Sequence, residues 1–296
     1  MYEKFFHFAS KPFAMNPDPG FLYPSSQHAA ALTMLEYAME SQALFCLLTG
    51  EIGSGKTTIV RHFLRGLGGK ITVGLISNTH DQFRSIHPWA LSSFGIAPYD
   101  DSDIAQYEAL IDFFVREYAK GRRALMVVDE AHNLTPAILE ELRLLSNVNS
   151  EGDLSLQVLL VGQPELRTKL EQPELEQFAQ RVSVDFHLGP LGLEDAMAYV
   201  WHRLTVAGGD PAIYTPEAIA FIHARTRGVP RLINQLCDLA LVYAFAEQQR
   251  SIDVQLLQHV LRDRKQSGAI PLFGALPTSM PRIAAAPPAA AGSEFG

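Results

Sequence analysis

The sequence is poor in cysteine: its 296 residues include two, Cys46 and Cys237, at distant positions. Each lies within an apolar run, so both are expected to be small buried hydrophobic side chains in a reducing compartment. Cysteine and histidine show no spacing that is typical of metal ligands. The composition therefore excludes a disulfide framework and gives no sign of a cysteine–histidine metal centre.

Long hydrophobic runs are also missing. The longest, Leu239–Ala246, is far shorter than the roughly 18–20 apolar residues that cross a bilayer. The first residues do not show the charged and then apolar order of a signal peptide. From these patterns we expect a soluble, cytoplasmic chain.

An excess of positive charge is absent as well. Lys and Arg number 24 against 32 Asp and Glu, which gives a formal net charge of −8. This balance disfavours a protein that coats nucleic acid by bulk charge, although it leaves a local basic face open. Hydrophobic residues make up 47% of the chain, enough for a buried core, which excludes a mostly disordered protein.

Apolar strands alternate with helical patterns through the first two thirds of the chain. The predicted strands are Leu44–Thr49, Ile71–Ser77, Ala124–Asp129, Leu156–Gly162 and Val182–Leu188. Strands that are apolar throughout, with helices between them, predict an α/β fold: a parallel sheet covered by helices on both faces. After Gly189-Pro190 only helical patterns follow, which predicts a second, small all-helical domain.

These patterns divide the chain into four segments. Residues 1–27 are rich in proline and aromatic residues, and we expect them to form an ordered arm that docks on the core. Residues 28–190 form the α/β core, and residues 191–265 form the helical lid domain. Residues 266–296 are a Pro- and Ala-rich flexible linker. Its last five residues resemble a vector-derived or truncated end, so we expect the natural protein to continue.

The most specific motif is a glycine-rich loop between a strand and a helix. Residues Gly50-Glu51-Ile52-Gly53-Ser54-Gly55-Lys56-Thr57 match the phosphate-binding pattern G-x-x-x-x-G-K-[ST]. The glycines let successive backbone N–H groups point at phosphate oxygens, and the helix adds the positive end of its dipole. Lys56 is expected to contact the β- and γ-phosphates, and Thr57 to ligate Mg²⁺. The predicted nucleotide-binding residues of this loop are Gly50, Glu51, Ile52, Gly53, Ser54, Gly55, Lys56, Thr57 and Thr58.

Two acids, Asp129 and Glu130, end another buried strand. Ligands of open α/β sheets bind at the carboxyl ends of the strands, so Asp129 is expected to hold Mg²⁺ with Thr57. Glu130 is expected to orient and deprotonate the attacking water. The alternative is that these acids cap the following helix. The tetrad Asp129-Glu130-Ala131-His132 also resembles a helicase motif, but no other helicase element is present, and His132 is interpreted as a polar loop residue.

Further motifs give the chain a narrower resemblance. They are Lys11-Pro12-Phe13, Pro17-Asp18-Pro19, Val128-Asp129-Glu130-Ala131-His132-Asn133-Leu134, Val161-Gly162-Gln163-Pro164-Glu165-Leu166, Gln180-Arg181-Val182 and Gly228-Val229-Pro230-Arg231. With the glycine loop, and over about residues 1–265, they resemble the AAA+ ATPases. Within that class the chain looks most like the general secretion pathway protein A type, whose relatives accompany exosortase and polysaccharide export systems. A sister branch contains the transposition ATPases.

The resemblance implies roles for four more residues. Gln163 would be the first sensor, bonding the γ-phosphate or the lytic water; otherwise it is a turn residue. Arg181 would be the arginine finger that acts on a neighbouring subunit, with Arg167 as its rival and a surface ion pair as the alternative. Arg231 would be the second sensor, reaching the γ-phosphate in cis from the lid, unless it is only a cation at a helix N-terminus. Asn78 would restrain the catalytic glutamate.

The resemblance also implies a function. The chain would hydrolyse ATP to ADP and phosphate with Mg²⁺, as a homo-oligomer, in envelope secretion or export. That work would be secretin assembly in a type II secretion-like system or polysaccharide export, with a membrane-anchored partner at the inner membrane. The alternatives are an ATP-dependent, DNA-binding regulator of transposition and a nucleotide-gated interaction module with little turnover. The basic positions that a DNA-binding face would use are sparse: Arg61, Arg65, Lys70, Arg122 and Arg123.

Overall fold

A computed structural model describes residues 1–15, 19–77, 84–98, 100, 102–149, 156–268 and 273–274. The strands are β1 Phe45–Gly50, β2 Ile71–Ile76, β3 Arg123–Val128, β4 Leu156–Gly162 and β5 Val182–Leu188. The helices are α1 Tyr2–Phe6, α2 Ser26–Glu40, α3 Lys56–Gly66, α4 His87–Phe94, α5 Asp103–Ala119, α6 Pro136–Leu145, α7 Glu165–Leu170, α8 Glu176–Ala179, α9 Leu193–Val206, α10 Pro216–Thr226, α11 Pro230–Ala246 and α12 Val254–Gln266. Among these residues, no helix combines the length and apolar character that a bilayer span requires.

The chain divides into two compact units. The α/β unit comprises Pro17–Gly189, and the helical unit comprises Met1–Asn16 together with Pro190–Gly296. The second break, between Gly189 and Pro190, falls where the sequence changes from alternating strands and helices to helices alone.

The α/β unit is built on a five-stranded sheet in the order β2-β3-β4-β1-β5, with every neighbouring pair parallel. Of the three inner strands, β1 and β4 are buried along their whole length and β3 along all but its first residue, whereas the edge strands β2 and β5 are partly exposed. This confirms the predicted α/β fold. Because all strands run the same way, the loops after β1, β3 and β4 leave the sheet at one edge and lie side by side.

Alternate residues of each inner strand enter two separate cores. In β1, Phe45 and Leu47 join the core formed with α4, α5 and α6, whereas Cys46 and Leu48 join the core formed with α2 and α3. Helices therefore cover both faces of the sheet, as the apolar strands predict. Cys46 is a buried free thiol in one of these cores, in agreement with its expected role as a small hydrophobic residue.

The N-terminal arm packs within the helical unit. Phe13 is 1% exposed, and its ring meets that of Tyr214 edge-on at 5.9 Å between centroids. The buried Arg203 of α9 donates from Nε to the carbonyl of Pro12 at 2.6 Å. This differs from the expectation that residues 1–27 dock on the α/β core, since the first part of the arm belongs to the helical unit. The helices offer both an apolar surface for the aromatic rings and a buried cation for the arm's carbonyls.

A buried carboxylate ties α5 to an edge of the sheet. Glu117 is 3% exposed and accepts hydrogen bonds from Arg122 Nε at 2.6 Å and Nη2 at 2.7 Å. It also accepts from Thr72 Oγ1 on β2 at 2.6 Å and from Lys120 Nζ at 3.0 Å. The bonds from Arg122, followed by that from Thr72, hold the pKa of the Glu117 carboxyl well below its usual range, although burial opposes them.

Replacing Glu117 with glutamine is expected to remove a pH-dependent part of the stability. A carboxyl whose pKa is lowered by folding stabilises the native state above its unfolded pKa of about 4.3. That contribution disappears as the pH falls towards the folded pKa. The urea midpoint of E117Q should therefore lie below that of the parent near neutral pH, and the difference should shrink progressively as the pH falls from about 4 towards the folded pKa. An E108Q control on the exposed face of α5 should follow the parent throughout. A midpoint difference that stays constant with pH would contradict this role.

Candidate active site

The glycine-rich loop connects β1 to α3, as the motif predicts. Gly55 is the N-cap of α3 and has φ 104°, a conformation that side chains rarely adopt. A Cβ added there would lie 2.8 Å from Nε2 of the buried His28, so both the backbone angle and the space require glycine. The helix N-terminus consequently faces the inside of the loop, where phosphate oxygens would accept from its free N–H groups.

Lys56 lies under this loop and is 8% exposed. Its Nζ donates to the carbonyl oxygens of Gly50 at 2.6 Å and Glu51 at 3.0 Å. Burial lowers the pKa of Lys56, and the negative charges of Glu130 and Asp129 oppose that shift. An ammonium group has three N–H donors, so these two bonds leave one for a phosphate oxygen.

The loop also contains a buried hydroxyl that a ligand would satisfy. Ser54 Oγ is buried, and within the described part of the chain it has no hydrogen-bond partner. A buried polar group without a partner costs about 1–3 kcal/mol. A phosphate oxygen within reach of this hydroxyl would remove that penalty.

The predicted metal ligands are adjacent. The hydroxyl of Thr57, in the first turn of α3, donates to Asp129 Oδ2 at 3.3 Å. A hydroxyl and a carboxylate are oxygen ligands of the kind that Mg²⁺ prefers, and Mg²⁺ usually takes its remaining ligands from phosphates and water. The described residues contain no cluster of three or more His, Cys, Asp or Glu side chains for a metal. This donor set therefore fits Mg²⁺ bound together with a nucleotide rather than a cage made by protein alone.

The backbone turns sharply between the two predicted acids. Asp129 follows β3 and its N–H donates to the carbonyl of Ile76 at 2.9 Å. Glu130 has φ 53°, in the left-handed region that is uncommon for non-glycine residues and costly unless the surroundings enforce it. Its N–H donates to Asp129 Oδ1 at 2.9 Å, which stabilises the turn. The next α-helix, α6, is capped by Thr135, so the acids are not its cap.

Gln163 directly follows β4, between β3 and β1 in the sheet. Its Nε2 lies 2.8 Å from Nε2 of His132, and the other ring nitrogen of His132, Nδ1, lies 3.4 Å from Glu130 Oε2. The structure therefore brings Gln163 and Glu130 to opposite sides of one imidazole. The sequence interpretation of His132 as a polar loop residue missed this position, although the Asp129–His132 tetrad was a visible signal.

Arg181 lies at the amino-terminal ends of the strands, whereas the glycine loop of its own chain lies at their carboxyl-terminal ends. It precedes Val182, which pairs with Phe45 at the start of β1, whereas the loop follows Gly50 at the end of β1. The length of β1 separates these two levels by about 17 Å, beyond the reach of an arginine side chain. Arg181 therefore cannot contact a phosphate held by its own chain's loop.

The guanidinium group of Arg181 is held at the end of α6. Its Nη1 donates to Arg143 O at 3.2 Å, Ser146 Oγ at 2.8 Å and Asn147 Oδ1 at 3.0 Å. The rival Arg167 is bound differently, in a fork to both carboxylate oxygens of Asp185. Arg167 thus already has a carboxylate partner, whereas the three acceptors that hydrogen-bond Arg181 are neutral.

Arg231 is exposed in the first turn of α11 in the helical unit. The chain reaches it through Gly228, which has φ 74° and whose absent Cβ would lie 2.1 Å from the carbonyl of Leu191. This close approach explains why the motif before Arg231 begins with glycine. Asn78, the proposed restraint on the glutamate, lies outside the described residues.

Known proteins are similar to this chain in sequence and in fold. Residues 39–170 match a family model described as an AAA domain. Similar solved structures include Cdc6p from Pyrobaculum aerophilum, with a TM-score of 0.63 at 17% identity over 83% of this chain and 71% of that chain. The ORC2 protein of Aeropyrum pernix has a TM-score of 0.62 at 15% identity over 86% of this chain and 72% of that chain. These structural similarities concern the fold alone. The family model and the glycine-rich loop identify the class, an AAA ATPase.

Within that class the chain is of the general secretion pathway protein A-like type. It is 39% identical over 273 residues, 90% of its length, to the general secretion pathway protein A of Aeromonas hydrophila. It spans 50% of that relative's length.

Proposed function

We propose that this ATPase is Mg²⁺-dependent and active as a homo-oligomer, and that it drives assembly or conformational work in envelope secretion or export. The name of the relative supports the secretion role, and the region that matches it includes every candidate site residue. The proposal that the protein acts as an oligomer rests on the position of Arg181. This residue lies at the end of the strands opposite the phosphate loop of its own chain. A membrane-anchored partner and a location at the cytoplasmic face of the inner membrane belong to the same proposal.

The roles of the site residues follow from their chemistry. The loop amides from Gly50 to Thr58 and the Lys56 ammonium bind the phosphates of ATP, and Thr57 and Asp129 hold Mg²⁺, which neutralises phosphate charge when bound. Glu130 accepts a proton from the water whose oxygen attacks the γ-phosphorus. The bond from that phosphorus to the β–γ bridging oxygen breaks, which yields ADP and phosphate.

Arg181 and Arg231 act on the γ-phosphate from outside the α/β unit that binds it. In an oligomer, the Arg181 fork of one subunit points at the ATP of the next and stabilises the charge that develops in the transition state. Arg231, in the helical unit, contacts the γ-phosphate of the ATP bound to its own subunit. Hydrolysis removes that contact from the helical unit. Such a contact would couple chemistry to domain motion.

Mixing two inactive variants tests the trans role. R181A keeps its phosphate loop and should lose turnover by about 10³-fold or more. K56A has a defective loop but keeps Arg181. In an equal mixture, a contact is active only where an R181A subunit supplies the intact phosphate loop and its K56A neighbour supplies Arg181. If the subunits assemble at random in a closed ring, roughly a quarter of the contacts should meet this condition. We expect the mixture to recover roughly that fraction of the parent ATPase rate.

R167A is the matched control, because Arg167 is already bound to Asp185. It should keep most of the parent rate by itself. A mixture of R181A and K56A that stays inactive, or an R181A variant with parent turnover, would overturn the trans assignment. Stimulation by duplex DNA that fades as salt rises would instead favour the transposition alternative.

A further inference from the structure

His132 occupies a built position rather than an open loop. Its side chain is 15% exposed, and it lies in the short 3₁₀ turn Ala131–Asn133 that follows Glu130. Lys169 of α7 donates from Nζ to the carbonyls of His132 and Leu134, both at 2.6 Å. One cation therefore holds the backbone at His132 and just after the turn, which fixes the point from which the imidazole side chain extends.

The two ring nitrogens of His132 face different partners. Gln163 Nε2, an amide donor, lies 2.8 Å from the ring Nε2, and Glu130 Oε2 lies 3.4 Å from Nδ1. The backbone N–H of Gln163 is also 3.4 Å from Nδ1, at the long limit of a hydrogen bond. A carboxylate oxygen is a stronger hydrogen-bond partner for a ring N–H than a backbone amide is for a ring nitrogen, so we assign Nδ1 to Glu130.

These contacts determine which ring nitrogen of His132 carries the proton. A neutral imidazole has one donor and one acceptor nitrogen, so acceptance from Gln163 at Nε2 leaves the proton on Nδ1. Oε2 of the Glu130 carboxylate lies 3.4 Å from that nitrogen. His132 is then no general base itself, since its acceptor nitrogen is already used by Gln163. It connects an amide to a carboxylate and restricts the rotation of both.

We propose that His132 is a positioning residue, which holds the carboxylate of Glu130 and the amide of Gln163 in the orientations that hydrolysis requires. The inference rests on the proposed roles of Glu130 and Gln163. Glu130, held at the ring through Oε2, is the group that takes the proton of water. With its NH₂ bound to the ring, Gln163 presents Oε1 as an acceptor for that same water.

A double-mutant cycle tests this arrangement. H132A should lower kcat by about 10–100-fold, as losses of residues that orient reacting groups do, while KM and the Kd for a fluorescent ATP analogue change less than about threefold. Q163A should lower kcat to a similar extent. Because the two residues share one contact, the loss of kcat in H132A/Q163A should be clearly smaller than the product of the two single losses. H132N, whose amide nitrogen lies near the position of Nδ1, should recover part of the rate that H132A loses.

Several outcomes would overturn the inference. They are a parent kcat in H132A, losses that multiply in the double variant, and a loss confined to nucleotide binding. If H132A fails to fold, the cycle is run with H132N, and the same non-additivity is required. H62A, at an exposed histidine of α3, is the control and should behave as the parent.

An E130Q measurement separates this inference from the function on which it depends. If E130Q hydrolyses ATP as fast as the parent, the proposed role of Glu130 fails. If E130Q is inactive and H132A keeps the parent kcat, only the role of His132 fails.

Discussion

A Lys56→Ala variant is expected to lose ATP binding, with a dissociation constant raised by about 100-fold or more. The ammonium of Lys56 is mostly buried beneath the loop, and it is the cation that the loop places toward the phosphates. Charge-assisted hydrogen bonds to phosphate are roughly twice as strong as neutral ones, and here burial keeps the ammonium from water. Titration with a fluorescent ATP analogue, followed by competition with unlabelled ATP, measures the effect.

Three further variants separate the charge of Lys56 from its structural bonds. Lys56 also bonds to the carbonyls of Gly50 and Glu51, so its removal could loosen the loop itself. K56M keeps the aliphatic stem without the charge, and K56R keeps the charge on a planar fork that does not fit a site made for an ammonium. Both should bind ATP weakly, whereas K70A, at an exposed lysine, should bind normally. Parent affinity in K56M would show that the phosphates are held without this charge.

The sheet and its phosphate loop were predictable because they depend on local patterns. The phosphate loop is recognised from spacing alone, because an apolar strand, now β1, is followed at fixed positions by the glycines and Lys56. The docking of the arm was not predictable in this way. The number of aromatic residues near Phe13 predicts that this segment is buried. The sequence does not show whether the sheet or the helices bury it. The partner, Tyr214, is about 200 residues away along the chain.

The position of His132 depended on tertiary structure for the same reason. Its place two residues after Glu130 was visible, but Gln163 is 31 positions further on. The two meet because β3 and β4 are neighbours in the sheet, and strand order cannot be read from the strands' composition. Likewise, the arginine in Gln180-Arg181-Val182 is found by resemblance, but its separation from the phosphate loop follows only from the pairing of β5 with β1.

Glu130→Gln is expected to lower turnover by about 10²–10⁴-fold while leaving ATP binding intact. Glutamine has nearly the same shape and keeps an acceptor oxygen near His132, but it cannot take a proton from water. The left-handed backbone at residue 130 should be preserved, because the bond from its N–H to Asp129 Oδ1 does not involve the side chain. ATP should then stay bound, and any oligomer that ATP stabilises should accumulate. Single-turnover hydrolysis, analogue titration and sedimentation in ATP measure these three effects.

A second acid supplies the control. E36Q, on an exposed position of α2, removes a negative charge from the same unit without touching the loop, and it should match the parent in all three assays. Parent-like turnover in E130Q would mean that another group activates the water. If E130Q lost ATP binding together with turnover, Glu130 would be acting on the nucleotide site through its charge, since burial and this carboxylate pull the pKa of Lys56 in opposite directions. Loss of turnover with retained binding is the result that assigns the proton transfer to Glu130.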